Sequence, residues 1–241
     1  MSTAIVTAAP PPLENRLGFY GKLPTHGDFV TRRLPRSFTE PWDAWLQAGL
    51  ARAQTAQGES WLESYLNAPL WRFVLAPGVC GDTAMTGVLM PSIDRVGRYF
   101  PLTFAVALGS VAAPARMALA AGDWYKGVED LALSILSDEP DYEDFNRSGE
   151  AIMAPGAETA GARVSAGGEI FCALGMPDAA SDAALELADG LFNLMASWAI
   201  WWTTGSEQIK GTFIVTKGLP SAEKFAALLD GQWERWGWKT P

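Results

Sequence analysis

The sequence predicts an α/β fold: a single domain built on a mostly antiparallel sheet with helices on both faces. Three observations predict it. About half of the 241 residues are apolar and 11% are aromatic, a composition that can bury a sizeable core. Strand-like and helix-like segments alternate in blocks along the chain. Three strand-like runs follow one another between residues 70 and 109 with short connections. Parallel neighbours would need long crossovers, so these runs must pair antiparallel. The domain is placed at 17–241, behind a flexible N-terminal tail at 1–16 that ends in a stiff Pro-Pro-Pro.

The elements follow in order. "LGFYGKLP" opens with a strand that Pro24 stops. "SFTEPWDAWLQAGLARAQ" reads as a helix with Thr39 at the N-cap and Glu40, Pro41 and Asp43 in its first turn. Its Trp42, Trp45, Leu46 and Leu50 fall on one helical face. "ESWLESYLNAP" is a second, short helix ended before Pro69. "LWRFVLAPG", "TAMTGVLMPSID" and "YFPLTFAVALG" are the three successive strands. Residues 114–137 turn helical, and 138–169, acidic and Gly/Ala-rich, read as a mobile connection with little order of its own. "GEIFCALG" is a further strand. "SDAALELADGLFNLMASWAIWW" gives the strongest helical pattern, capped by Ser181 or Asp182, with Leu185, Leu187, Leu191, Leu194, Met195 and Trp198 buried. "QIKGTFIVTKG" is the last strand. "SAEKFAALLDGQW" is the last helix, with Ser221 at its N-cap and Gly231 past its end.

Charge and targeting signals exclude several classes of function. The net charge of −9 argues against nucleic-acid binding. That charge is uneven: residues 1–110 are close to neutral, while 111–241 carry 19 acidic and 9 basic groups. An acidic solvated face accounts for this, as does a field that steers a partner. Cys80 and Cys172 form no metal pattern, and Cys172 reads as a small core residue. The N-terminus lacks a basic region and a long apolar run, so it is not a signal peptide. The longest apolar run, "LFNLMASWAIWW", falls short of the ~20 residues of a membrane span. A cytoplasmic location is the default. Eleven tryptophans are many for this length. Core packing explains them, and a protein-binding surface, where tryptophan is also enriched, is the other reading.

Two stretches stand out as candidate sites. "GKLPTHGDFVTRRLP" carries the only histidine, His26, close to Asp28, Arg32 and Arg33. A histidine beside an aspartate can do acid–base work. However, one histidine is too few for a typical zinc site, and no nucleophile elbow, phosphate loop or dinucleotide fingerprint is present. Asp28 reads as a turn-former, a helix cap or a partner of Arg32 or Arg33. The second stretch, "MPSIDRVGRYFPLTF", packs Ser92, Asp94, Arg95 and Arg98 into one turn between two apolar runs. An ion-paired knot that only fixes the loop and a recognition surface are equally good readings of it.

"GFYGKLPTHGDFVTRRLP", "WDAWLQ", "YLNAPLWRFVL", "GVLMPSIDRVGRYFPLT" and the late "WW" resemble the TagF family, also called ImpM, of proteins associated with bacterial type VI secretion. The resemblance is dense over 18–107 and loose in the acidic half. His26 falls on a variable position of the family's G-K-L-P-x-x-G-D-F element, which weakens a catalytic role for it. The resemblance implies a longin- or profilin-like α/β/α sandwich. It also implies a non-enzymatic cytoplasmic protein that holds the secretion apparatus off, after translation, by binding its forkhead-associated scaffold protein. On that reading there is no cofactor, no metal and no catalytic residue. Lys22, Asp28, Arg32, Arg33, Ser92, Asp94, Arg95 and Arg98 are then expected to form a partner-binding loop surface. A small hydrolase using His26, Asp28 and Asp94, and a structural subunit of the apparatus, are the alternatives.

Overall fold

The computed structural model describes residues 15–109, 121–137, 140–155 and 197–238. Seven strands form one sheet, each antiparallel to its neighbours. They are β1 (Gly18–Lys22), β2 (Phe29–Arg32), β3 (Trp71–Leu75), β4 (Ala84–Met90), β5 (Leu102–Leu108), β6 (Trp198–Gly205) and β7 (Lys210–Lys217). The spatial order is β2-β1-β5-β4-β3-β6-β7. The three strands predicted between 70 and 109 are the central meander β3-β4-β5. The α/β class and the antiparallel sheet are as the sequence predicts.

Strand side chains alternate between faces, and here both faces are covered. On β6, Trp201 points into one apolar cluster and Trp198, Ile200 and Trp202 into the other. The first cluster lies under α1 (Arg36–Gln57), α2 (Trp61–Leu66), α5 (Ala222–Phe225) and α6 (Ala227–Asp230). The second lies under α3 (Gly122–Ser134) and α4 (Tyr142–Ala151). The tryptophans are core residues. Trp42, Trp45 and Trp201 stack between α1 and the sheet with ring centroids 4.8 to 5.8 Å apart. Indole N–H groups that go into such a core need acceptors. Trp42 donates to Thr103 Oγ1, Trp45 to the Pro220 carbonyl and Trp71 to the Leu228 carbonyl, each at 2.8 Å.

The structure corrects five readings. Helix α1 starts at Arg36 with Pro35 at its N-cap, not at Thr39; Phe38 already packs on Trp42 one turn on, so the apolar face begins earlier. Phe29–Arg32, in a stretch read as loop, pairs with β1 as an edge strand. Residues 142–151 of the expected loose connection form α4, capped by the Asp141 carboxylate on the amides of Glu143 and Asp144. "WAIWW" is strand, not helix: β6 is buried on both faces, so its apolar run is continuous and has no period to read. The last helix is split into α5 and α6, with Ser221 at the N-cap position and Gly231 left-handed after its end. The expected strand "GEIFCALG", Cys172, and the helical readings over 114–120 and 181–196 lie outside the described residues. Among the described residues no helix is long and apolar enough to cross a membrane.

Thr103→Val keeps the shape of the core but strips Trp42 of its acceptor. An orphaned buried donor costs about 1–3 kcal/mol. Urea unfolding followed by tryptophan fluorescence should show a loss in that range with an unchanged m-value.

Candidate protein-interaction site

The topology gathers the two unusual stretches at one place. β1 and β4 both run antiparallel to β5, which lies between them. They therefore point the same way, and the loops that follow them leave the same end of the sheet. The loop after β1 can turn there because Gly21, with φ 138°, has no side chain: a Cβ would lie 2.1 Å from the Pro101 carbonyl oxygen. The loop after β4 turns through Gly97 in the left-handed region, φ 83°.

Asp94 fastens the two loops together. Its carboxylate is fully buried. One oxygen accepts the amides of Val96 at 3.0 Å and Arg98 at 2.9 Å. The other accepts the Arg98 guanidinium at 2.6 Å and the Lys22 ammonium at 3.1 Å. Burial opposes ionisation, but these four donors outweigh it and hold the carboxyl well below the usual carboxylate range. Further bonds cross between the loops. The Arg95 amide donates to the His26 carbonyl at 2.9 Å, and the Arg98 guanidinium also donates to the Gly27 carbonyl. Ser92 Oγ donates to the Lys22 carbonyl at 2.8 Å, and the Ser92 amide donates to the Tyr65 hydroxyl of α2 at 2.9 Å.

The predicted site residues thus divide. Lys22, Ser92 and Asp94 are buried ties. Arg33 is a tie as well. Its φ is 55°, and its guanidinium donates to the Leu17 carbonyl and to Asn146 Oδ1. Asp28, Arg32, Arg95 and Arg98 are exposed. Asp28 caps its own loop, accepting from the Phe29 amide at 2.8 Å, and pairs with neither Arg32 nor Arg33. His26, half-buried, lies against the Tyr142 ring with centroids 4.3 Å apart, and Thr25 Oγ1 contacts its Nδ1 at 2.8 Å. Burial, then the charges of Arg32 and Arg95, lower its pKa from the ordinary value. His26, Asp28 and Asp94 are each bound to other groups and do not meet as a hydrolase constellation would. Cys80 is buried, and burial pushes its thiol up to about 12, far from a reactive thiolate.

The sequence reading missed Tyr142, Phe29, Val96 and Tyr99. Tyr142 falls in the segment read as loose. Phe29, Val96 and Tyr99 stand beside the charged residues and are exposed by 43%, 66% and 37%. Large apolar groups left in water beside rigid loops are a signal for docking.

Comparison with known proteins places this arrangement. The TagF N-terminal domain, described as type VI secretion system-associated, matches residues 18–152, which contain both loops. The crystal structure of PA0076 from Pseudomonas aeruginosa PAO1 is similar over 90% of this chain and 94% of its own, at 40% identity and a TM-score of 0.73. No curated protein matches.

The depressed Asp94 acid constant has a direction in pH. Its contribution to stability is fully present above the ordinary carboxylate value of 3.8 and is lost as pH falls below it. Asp94→Asn should lower the urea midpoint at neutral pH, leaving Lys22 buried without its counter-charge. It should also flatten the acid limb of the stability curve. A variant whose acid limb matches the parent's would show that the carboxylate is not the tie described.

Proposed function

We propose a function from one premise: the chain belongs to the TagF family of type VI secretion system-associated proteins. It acts as a non-enzymatic cytoplasmic regulator. It holds the secretion apparatus off after translation by binding the forkhead-associated scaffold protein in stoichiometric amounts. The loop surface built by Lys22, Asp28, Arg32, Arg33, Ser92, Asp94, Arg95 and Arg98 is the contact, with the buried members shaping it and the exposed ones touching the partner.

The Asp94 tie supports this reading. A loop pair already locked by a buried carboxylate loses little conformational freedom on docking, so more of the contact energy appears as affinity. The charge of the second half supports it as well. Nineteen acidic groups against nine basic ones can steer the scaffold by its basic groups without any phosphate on the partner, while the exposed arginines of the loop surface meet its acidic ones.

Repression should rise in proportion to the ratio of this protein to the scaffold and saturate near equivalence. Contact made through exposed charge should weaken with salt, because such charges are screened beyond about 8 Å at physiological ionic strength. Arg95 is exposed and joins no ion pair among the described residues, so Arg95→Glu should change stability by no more than about 0.5 kcal/mol while weakening scaffold binding. Calorimetric titration of the two purified proteins at low and high salt checks both. Repression by trace amounts, or no binding at any salt, would overturn the proposal.

A further inference from the structure

A second cluster lies at the same end of the sheet, outside the Asp94 tie. The Tyr142 ring at the start of α4 carries the His26 ring, 4.3 Å between centroids, and the Arg32 guanidinium, 5.7 Å from the ring centre. The Arg95 amide holds the His26 carbonyl, and its guanidinium lies beside Gly27, where a Cβ would meet Nη2 at 3.5 Å. Lys22 and Arg98 share the charge of Asp94. Arg32 and Arg95 have no carboxylate within 4.0 Å among the described residues. The Tyr142 hydroxyl is buried and has no hydrogen-bond partner among the described residues.

We propose that this cluster receives an acidic peptide segment of a protein partner, its carboxylates held by Arg32 and Arg95 and an apolar side chain beside them by Val96. Charge complementarity selects the occupant: two guanidiniums without a carboxylate partner among the described residues suit carboxylates, although Arg32 already gives one donor to the Thr31 carbonyl at 2.9 Å. Val96, 66% exposed and next to Arg95 on its turn, selects a peptide over a free anion. Phe29 and Tyr99 belong to the other face of the sheet, where they pack on Tyr20 and Phe100 and on Trp61 and Tyr65.

His26 makes the contact pH-sensitive. Facing it are Arg32 from β2, Arg95 from the loop after β4, and Tyr142 and Glu143 from α4, with Thr25 on its own loop. The two arginines disfavour the imidazolium, and Glu143 opposes them. A carboxylate bound between the arginines would cancel their repulsion and raise the affinity of the imidazole for a proton. By linkage, binding must then tighten as pH falls through the histidine range. The inference rests on the proposed docking role of this loop surface and adds the chemistry of the segment that would bind there.

The chain has one histidine, so its imidazole gives a single set of NMR signals. The full chain is titrated with hexaglutamate, and separately with inorganic phosphate at matched ionic strength. Hexaglutamate should shift the His26 signals saturably, raise the His26 titration midpoint, and bind more tightly at about pH 5.5 than at about pH 8. Replacing both arginines, Arg32→Gln with Arg95→Gln, should weaken binding about tenfold. Arg52→Gln, which removes one positive charge from α1, should not. His26→Gln should keep the binding near pH 8 and lose its pH dependence. The parent titration needs no variant, so misfolding of a variant cannot rescue the idea. No saturable shift, equal weakening by Arg52→Gln, or phosphate acting as strongly as the peptide would each overturn it. Scaffold binding that persists without a hexaglutamate response would overturn this inference alone.

Discussion

A carboxylate taken out of water must find donors for both oxygens or give up its charge. Asp94 finds four: two amides of its own turn, the Arg98 guanidinium and the Lys22 ammonium. The two amides fix the shape of the loop after β4. Lys22 joins that loop to the end of β1, and Arg98 continues to the carbonyl of Gly27. Together with the Arg95 amide on the His26 carbonyl and Ser92 Oγ on the Lys22 carbonyl, this side chain sets where the two loops lie relative to each other. Arg95, Val96 and Tyr99 project from the turn that it holds. Removing the carboxylate would release all of its own constraints together, because Lys22 has nowhere else among the described groups to place its charge.

The sheet sets the distance that this tie has to span. With β5 between them, β1 and β4 end side by side. The order is held by an apolar layer on each face. On one side Trp42, Trp45 and Trp201 form the layer with their rings in contact. On the other, Phe19, Phe104 and Phe145 pack between the sheet and α4. The second layer also serves the site. α4 places Tyr142 against His26 and Asn146 against the guanidinium of Arg33. Arg33 holds a left-handed backbone that a branched chain rarely adopts, and its two side-chain ties fix the turn from β2 into α1.

Most of this could be read from the sequence where a pattern has a period or a breaker. The meander β3-β4-β5 was legible because apolar runs are separated by "PGVCGD" and "DRVGR". The body of α1 was legible from the spacing of Trp42, Trp45, Leu46 and Leu50. The Asp94, Arg95 and Arg98 turn was legible as a charged knot, though not its closure by Lys22, which is 72 positions away from Asp94 in the sequence. Where the period vanishes, so does the reading. β6 has both faces buried and shows only an unbroken apolar run. β2 is four residues at an edge, mostly exposed, with nothing to alternate. α4 was hidden by an acidic composition, although Asp141 followed by Glu143 and Asp144 is an N-terminal signature that the composition obscured.

The distribution of charge gives the loop end of the sheet its selectivity. The chain is acidic overall, and its excess negative charge falls in residues 111–241. At the loop end, Asp94 is outnumbered by Lys22 and Arg98, and Arg32 and Arg95 join no ion pair among the described residues. The exposed guanidiniums of Arg32 and Arg95 would draw an acidic segment to this end. Within about 8 Å screening weakens, and contact with Val96 can take over. Long-range charge then selects the end, and short-range apolar contact selects the sequence that stays. A rigid base makes the second step effective: the Asp94 tie leaves Val96 and Tyr99 on a turn whose hydrogen bonds are already made, so a partner need not order it.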